Sequence, residues 1–290
     1  MSQKSQEGNL LSSDRIVDAD DLGAAIADAS TGLRSSPGDV RLRTALFELL
    51  CFAGDFARAE KQLDVLLQQS PAAEPGVHVH RAILRAERAR EGVFSGAARP
   101  EFLGQEPPYA DPQWRALKEA CAGNPAGARS LLEEALEARS EVRGLINGRS
   151  FDDLQDADDF LGGFFEVITR DGYRWLAMEG VTAITIPPPR TQRDLLWAQA
   201  SIDLLSGDEI DAYVPVLYAR SSADPRDAIR LGQMTAWIEL GAGVVRGVGQ
   251  RLLLVDGEEI PFLDVRSIEI GAVVRSSSGN APGRSSSERD

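Results

Sequence analysis

Only two cysteines occur in this 290-residue chain, Cys51 and Cys121, and they form no CxxC pair. A disulfide framework is thereby excluded, and a single disulfide between the two is not expected. Both lie in apolar helical patterns and are expected to be buried structural thiols. Histidine is as scarce: His78 and His80 stand alone. At positions i and i+2 they do not share a helix face. They have no set of partners at zinc-ligand spacing, and no GxSxG elbow offers a nucleophile. A surface pair at a helix start is expected. No apolar run is long enough for a membrane-spanning helix, and Met1 to Asp14 has no signal-peptide centre. Basic residues are outnumbered 31 to 45, leaving a net charge of -14. Such a surface repels phosphate backbones and anionic lipids, so neither nucleic acid nor membrane is an expected partner. A cytoplasmic protein is the simplest reading.

The first half reads as helices. Leu22, Ala25, Ile26, Ala29 and Leu33 recur at helical spacing, before Ser36-Pro37-Gly38-Asp39. Leu42, Ala45, Leu46, Leu49 and Ala53 make a second stripe, ended by Gly54. Asp55 can cap a third helix carrying Phe56, Ala59, Leu63, Leu66 and Leu67. A fourth runs from about Val77 to Phe94, with Ala82, Ile83, Ala86 and Ala89 inward. Trp114, Leu117 and Cys121 mark a fifth; Ala128, Leu131, Leu132 and Ala135 mark a sixth. Pro37 and Pro71 stand 71 − 37 = 34 residues apart, the tetratricopeptide period.

Near Gly144 to Ser150 the pattern changes. Short β-type segments follow: Phe164–Ile168, Tyr173–Met178, Val181–Ile186, Ala198–Leu204, Ala212–Tyr218 and Thr235–Leu240. Leu252–Val255 and Ile260–Val265 flank Asp256-Gly257, a hairpin turn. A short helix is expected over Asp227–Met234. The glycines 241, 243, 247 and 249 do not make a phosphate loop, because Arg246 holds the third glycine's place in GxGxxG and the segment leads into a hairpin. A flexible turn is expected there. The fold class is α+β: a tetratricopeptide-like helical domain, 19–145, packed on an antiparallel β-rich domain, 146–272, a small sheet or barrel. Residues 1–18 and 273–290 are expected to be disordered, the latter from its Ser, Gly and charge content.

Three constellations could carry function. Asp152, Asp153, Asp156, Asp158 and Asp159 offer oxygens for a divalent cation and hence a metal-dependent hydrolase. An EF-hand starting at Asp156 fails, because Leu161 replaces its glycine and Val167 its glutamate. A turn with a helix cap is the preferred reading, with no metal, cofactor or catalytic residue expected. Trp175, Trp197 and Trp237 are either sheet core, which is preferred, or a docking surface. Arg81, Arg85 and Arg88 follow i, i+4, i+7 on the fourth helix. They suit the rim of a groove for an acidic partner helix, or an exposed face paired with Glu87 and Glu91.

Several blocks together resemble the ImpE/TagJ family. They are Leu46-Phe47-Glu48-Leu49-Leu50-Cys51-Phe52-Ala53-Gly54-Asp55-Phe56, Arg88-Ala89-Arg90-Glu91-Gly92-Val93-Phe94, Gly172-Tyr173-Arg174-Trp175 and Arg193-Asp194-Leu195-Leu196-Trp197. Tyr213-Val214-Pro215-Val216-Leu217-Tyr218 and Leu231-Gly232-Gln233-Met234-Thr235-Ala236-Trp237 continue the series, which spans about Leu22 to Ile270. The resemblance implies a non-enzymatic accessory protein of bacterial type VI secretion. It also implies binding of the small contractile-sheath subunit, with an indirect link to the ClpV ATPase; the concave face of stacked helical hairpins suits an amphipathic helix of that partner.

Overall fold

The computed structural model describes residues 21–271, so both segments expected to be disordered lie outside the described residues. Four helices open it: α1 (Leu22–Ser35), α2 (Val40–Phe52), α3 (Phe56–Gln69) and α4 (Glu74–Phe94). The first three start on aspartates. Asp21, Asp39 and Asp55 accept hydrogen bonds from the amides of Ala24, Leu42 and Arg58, satisfying donors a helix start leaves open. α2 packs on both α1 and α3. It is therefore buried from Leu46 through Phe52, a wider face than one stripe. On α4 the buried face is Ile83, Leu84, Ala86, Glu87 and Arg90, whereas Ala89 is exposed.

A second helical pair follows, α5 (Ala110–Cys121) and α6 (Pro125–Ala138). α5 turns Gln113, Ala116 and Leu117 inward and leaves Trp114 half-buried. The expectation of two buried thiols holds for Cys51 and fails for Cys121, which is exposed. Cys121 ends α5, where its thiol donates to Phe94 O at 3.4 Å from the rim rather than from the core.

The β-rich part packs against these helices, with α4 lying on the main sheet. Its strands are β1 (Phe102–Leu103), β2 (Gly144–Ile146), β3 (Arg149–Phe151), β4 (Leu154–Asp156), β5 (Phe164–Thr169), β6 (Gly172–Ala177) and β7 (Val181–Thr185). They continue with β8 (Trp197–Leu204), β9 (Glu209–Pro215), β10 (Thr235–Gly241), β11 (Val244–Gly249), β12 (Leu252–Val255), β13 (Glu258–Pro261) and β14 (Ser267–Ile270). Nine strands form one sheet in the order β1-β6-β5-β9-β8-β7-β14-β2-β3, larger than the small sheet expected. β4 joins β12 and β13, and β10 pairs with β11 alone. Every pairing is antiparallel except β1 with β6.

Several boundaries differ from expectation. β9 stops at Pro215: Val216 N–H still reaches Leu196 O at 2.9 Å, but Val216 O and Tyr218 N–H turn to Arg251 and Gly249. β13 ends at Pro261, and Phe262–Asp264 turns as a 3-10 helix. The expected helix over Asp227–Met234 is the single turn α7 (Asp227–Arg230). Between β12 and β13, Asp256 and Gly257 have φ of 52° and 82°, the positive values a tight hairpin requires.

One glycine is a condition of the sheet. A Cβ on Gly144 would lie 1.8 Å from Glu269 O, in the backbone of the neighbouring strand β14. Gly148, at φ +80°, has nothing within 4 Å of such a carbon. Gly148→Ala is therefore expected to cost about 1–2 kcal/mol, from its left-handed backbone alone. Gly144→Ala must also displace a strand and is expected to cost upward of about 3 kcal/mol. Urea denaturation of the two variants checks the order; equal losses would contradict the packing described.

Candidate functional site

The strongest concentration of charge is inside the molecule. α4 carries Arg90 on its buried face, and β5 carries Glu166 within the apolar run Phe164 to Ile168. Arg90 donates two hydrogen bonds to Glu166, Nε at 2.6 Å and Nη2 at 2.7 Å, and Nη2 also reaches Leu217 O at 2.7 Å. A second guanidinium, that of Arg251, lies 3.4 Å from Glu166 Oε2 and holds Asp156 Oδ2 through Nε at 3.0 Å and Nη2 at 2.7 Å. Tyr173 donates its hydroxyl to Glu166 Oε1 at 2.6 Å, and Trp175 donates to the Tyr173 hydroxyl at 2.6 Å. Burial acts to raise the Glu166 carboxyl, but the arginines and the Tyr173 hydroxyl prevail and hold it below the usual range.

The acidic stretch is used up in the same way. Asp156 serves Arg251 and accepts Asp158 N–H at 2.9 Å. Asp158 accepts Phe160 N–H and Gly247 N–H, and Asp159 accepts Val245 N–H at 2.7 Å. Asp153 pairs with Arg139 at 2.7 Å, and Asp152 is exposed. These carboxylates fan outward to separate partners instead of converging. Among the described residues no group of three or more His, Cys, Asp or Glu could hold a metal ion. Of the glycine segment expected to be a turn, Ala242 and Gly243 do form the turn between β10 and β11, whereas Gly247 and Gly249 lie within β11, which this aspartate loop secures. Burial pushes the Asp158 carboxyl up to about 7, against the pull of Arg246.

The histidines separate. His78 is exposed beside Glu74 at 3.4 Å. His80 is buried, contrary to the surface pair expected, because i+2 on a helix rotates it onto the core side. Its Nδ1 lies 2.6 Å from Gly76 O and its Nε2 3.0 Å from Arg193 Nη1. That pairing fixes Nδ1 as the protonated nitrogen. Burial first, then Arg193, pushes the imidazole down to about 3. Arg193 also meets Glu48 at 3.1 Å, and Trp197 donates to Glu87 at 2.7 Å. Glu87 is thus an interior partner and not the surface partner of the arginine stripe.

On that stripe Arg81 pairs with Asp64 and Arg88 with Glu60, both on α3. Arg85 is exposed and has no carboxylate partner among the described residues. Arg85 and Arg88 line a groove of about 670 Å³, floored by Ala82, Ala86 and Ala89 and faced by Arg170 of the β5–β6 turn. Arg81 lies outside it. The tryptophans also divide: Trp175 and Trp197 are core, whereas Trp237 is 37% exposed. Sequence reasoning missed Arg90, Glu166 and Arg251. The spacing Ile83, Glu87, Arg90, Phe94 already placed two charges on the apolar face of α4.

These observations define an α+β protein whose interior ionisable groups serve its own architecture, leaving its open chemistry at the surface. A family model described as ImpE protein matches residues 148–269. The type VI secretion system accessory component TagJ of Pseudomonas aeruginosa is 34% identical over 256 residues, covering 88% of this chain and 90% of that protein. The X-ray structure of protein VPA1032 from Vibrio parahaemolyticus matches with a TM-score of 0.80 at 26% identity, over 87% of this chain and 95% of that one. The chain belongs to the ImpE/TagJ family. Among the described residues no helix is long and apolar enough to cross a membrane.

Glu166→Gln leaves two buried guanidinium groups facing a neutral amide, and is expected to cost about 3–5 kcal/mol of folding stability. pH separates two other groups. His80 is lowered from 6.5 to about 3, so its contribution is lost as pH falls below about 6.5. Asp158 is raised from 3.8 to about 7, so its contribution is lost as pH rises through that interval. Between pH 4.5 and 6.5 the two oppose each other. Relative to the parent chain, His80→Gln is expected to make stability fall more with rising pH, and Asp158→Asn to make it rise more. Urea midpoints at pH 4.5 and 6.5 check both signs; unchanged slopes would contradict the assignment.

Proposed function

We propose that this chain is a non-enzymatic, cytoplasmic adaptor of type VI secretion that binds the small contractile-sheath subunit and is thereby linked to the ClpV ATPase. The observation that carries the reading is the 34% identity to the TagJ accessory component across about nine-tenths of both chains. The fate of Asp152 to Asp159 supports it against a metal-dependent hydrolase. Their carboxylates bond to amides and arginines of the chain itself or stand apart, so among the described residues they form no shared oxygen cage.

The binding mode we propose is an amphipathic helix in the groove along α4. The tetratricopeptide-like reading of α1 to α4 remains part of this proposal, but the groove itself runs between α4 and the β5–β6 turn, where an amphipathic helix can lie along α4. Alanines on the groove floor allow close approach of a helix. Arg85 and Arg170 have no carboxylate partner among the described residues, in a molecule of net charge -14, and so suit an acidic rim on the partner. Arg81 and Arg88 contribute less, because α3 already neutralises them.

Immobilised small sheath subunit is expected to capture the purified chain. Arg85→Glu should weaken capture about tenfold and flatten its dependence on salt, with circular dichroism unchanged. Full affinity in that variant would remove the α4 groove as the site. No capture of the parent chain would remove the sheath subunit as the partner.

A further inference from the structure

The ribbon of β10 and β11 has one strand built into the body and one left open. Three amides of β11 turn inward to side chains: Val245 N–H to Asp159 Oδ2 at 2.7 Å, Gly247 N–H to Asp158 Oδ2 at 2.8 Å, and Gly249 N–H to Ser221 Oγ at 2.8 Å. Along an antiparallel strand, successive residues bond alternately to one side and the other. Arg246 and Val248 therefore face β10, where the register sets them opposite Ile238 and Ala236. It follows that the N–H and C=O groups of Thr235, Trp237 and Glu239 point to the other edge. No strand among the described residues pairs there.

That edge is apolar. Among the described residues the exposed large hydrophobic side chains are Val79, Leu136, Leu205, Met234, Trp237 and Ile238, and the last three fall within five residues at this one place. Trp237 and Ile238 are adjacent on the strand and so lie on opposite faces, each more than a third exposed, with the Trp237 ring resting on that of Tyr218 at 5.9 Å. Sheet edges are ordinarily guarded by lysine, proline or a bulge. From Met234 to Ile238 there is none, and the register shift begins only at Glu239.

We infer that the β10 edge is a second binding surface, taking an extended polypeptide segment as an added strand in which aliphatic and basic residues alternate. The outward amides supply main-chain hydrogen bonds to any extended chain. Ile238 selects an aliphatic residue on one face. On the other, Trp237 and Glu239 lie two residues apart and suit a lysine or arginine, through the ring face and a cross-strand ion pair. The net charge of -14 draws in a basic segment and opposes a second copy of this chain.

The test uses the full chain and two synthetic peptides, one alternating valine with lysine and one alternating valine with glutamate. Tryptophan fluorescence reads affinity, and hydrogen exchange reads the amides of Trp237 and Glu239. The lysine peptide is expected to bind at least tenfold more tightly than the glutamate peptide and to slow exchange at both amides. Glu239→Pro removes one outward N–H that the fold does not use, and should weaken binding at least tenfold. Glu239→Lys should shift the preference toward the glutamate peptide. Failure of the lysine peptide to bind, or equal affinity in the proline variant, overturns the proposal. So does protection of these amides that appears only as sedimentation shows dimer, which would make a second copy the occupant. None of these readings involves the sheath subunit.

Discussion

Glu166 is a carboxylate with no access to water, held charged by Arg90 and Arg251 and by the Tyr173 hydroxyl. Arg90 comes from the helical part and Arg251 from the strand-rich part, so the charge balance exists only when the two are docked. A buried ion pair adds little net stability over an apolar replacement, but half of one is strongly unfavourable. The interaction therefore acts mainly against partial undocking and against sliding of α4 along the sheet. Tyr173 couples this to the surface, since it both bonds to Glu166 and lines the groove beside Arg85. The groove has one wall from each part.

The aspartate loop does the same for the other surface. Asp156 is tied to Arg251, while Asp158 and Asp159 hold the inward amides of β11. β11 is thereby fixed to the body, and β10 is displayed as its outer neighbour. Residues that look in isolation like a cation site are the anchor of an open edge. The same carboxylate chemistry that could have bound a metal is satisfied by guanidinium and peptide groups.

Much of the fold was legible in the sequence. Helical spacing located α1 to α6, and the apolar runs located β5 to β8, β10 and β12, because these elements are long enough to show a period. β2, β3 and β4 have three residues each, too few for alternation to register. β11 was hidden by its glycines, which read as flexibility. Gly247 is there because a Cβ would strike the Tyr218 ring at 2.4 Å. The interior charges were harder. Glu166 within five residues that are otherwise apolar, and Arg90 on the apolar face of α4, were visible as anomalies. That they neutralise each other across 76 residues is a fact of tertiary packing.

The central claim is that the buried charges make the helical and strand-rich parts one cooperative unit. Equilibrium urea unfolding followed by two probes tests it most directly: far-ultraviolet circular dichroism for the helices, and fluorescence of Trp175 and Trp197 for the sheet. A chain fastened as described loses both signals in one coincident transition. Two separated transitions in the unmodified protein would contradict it.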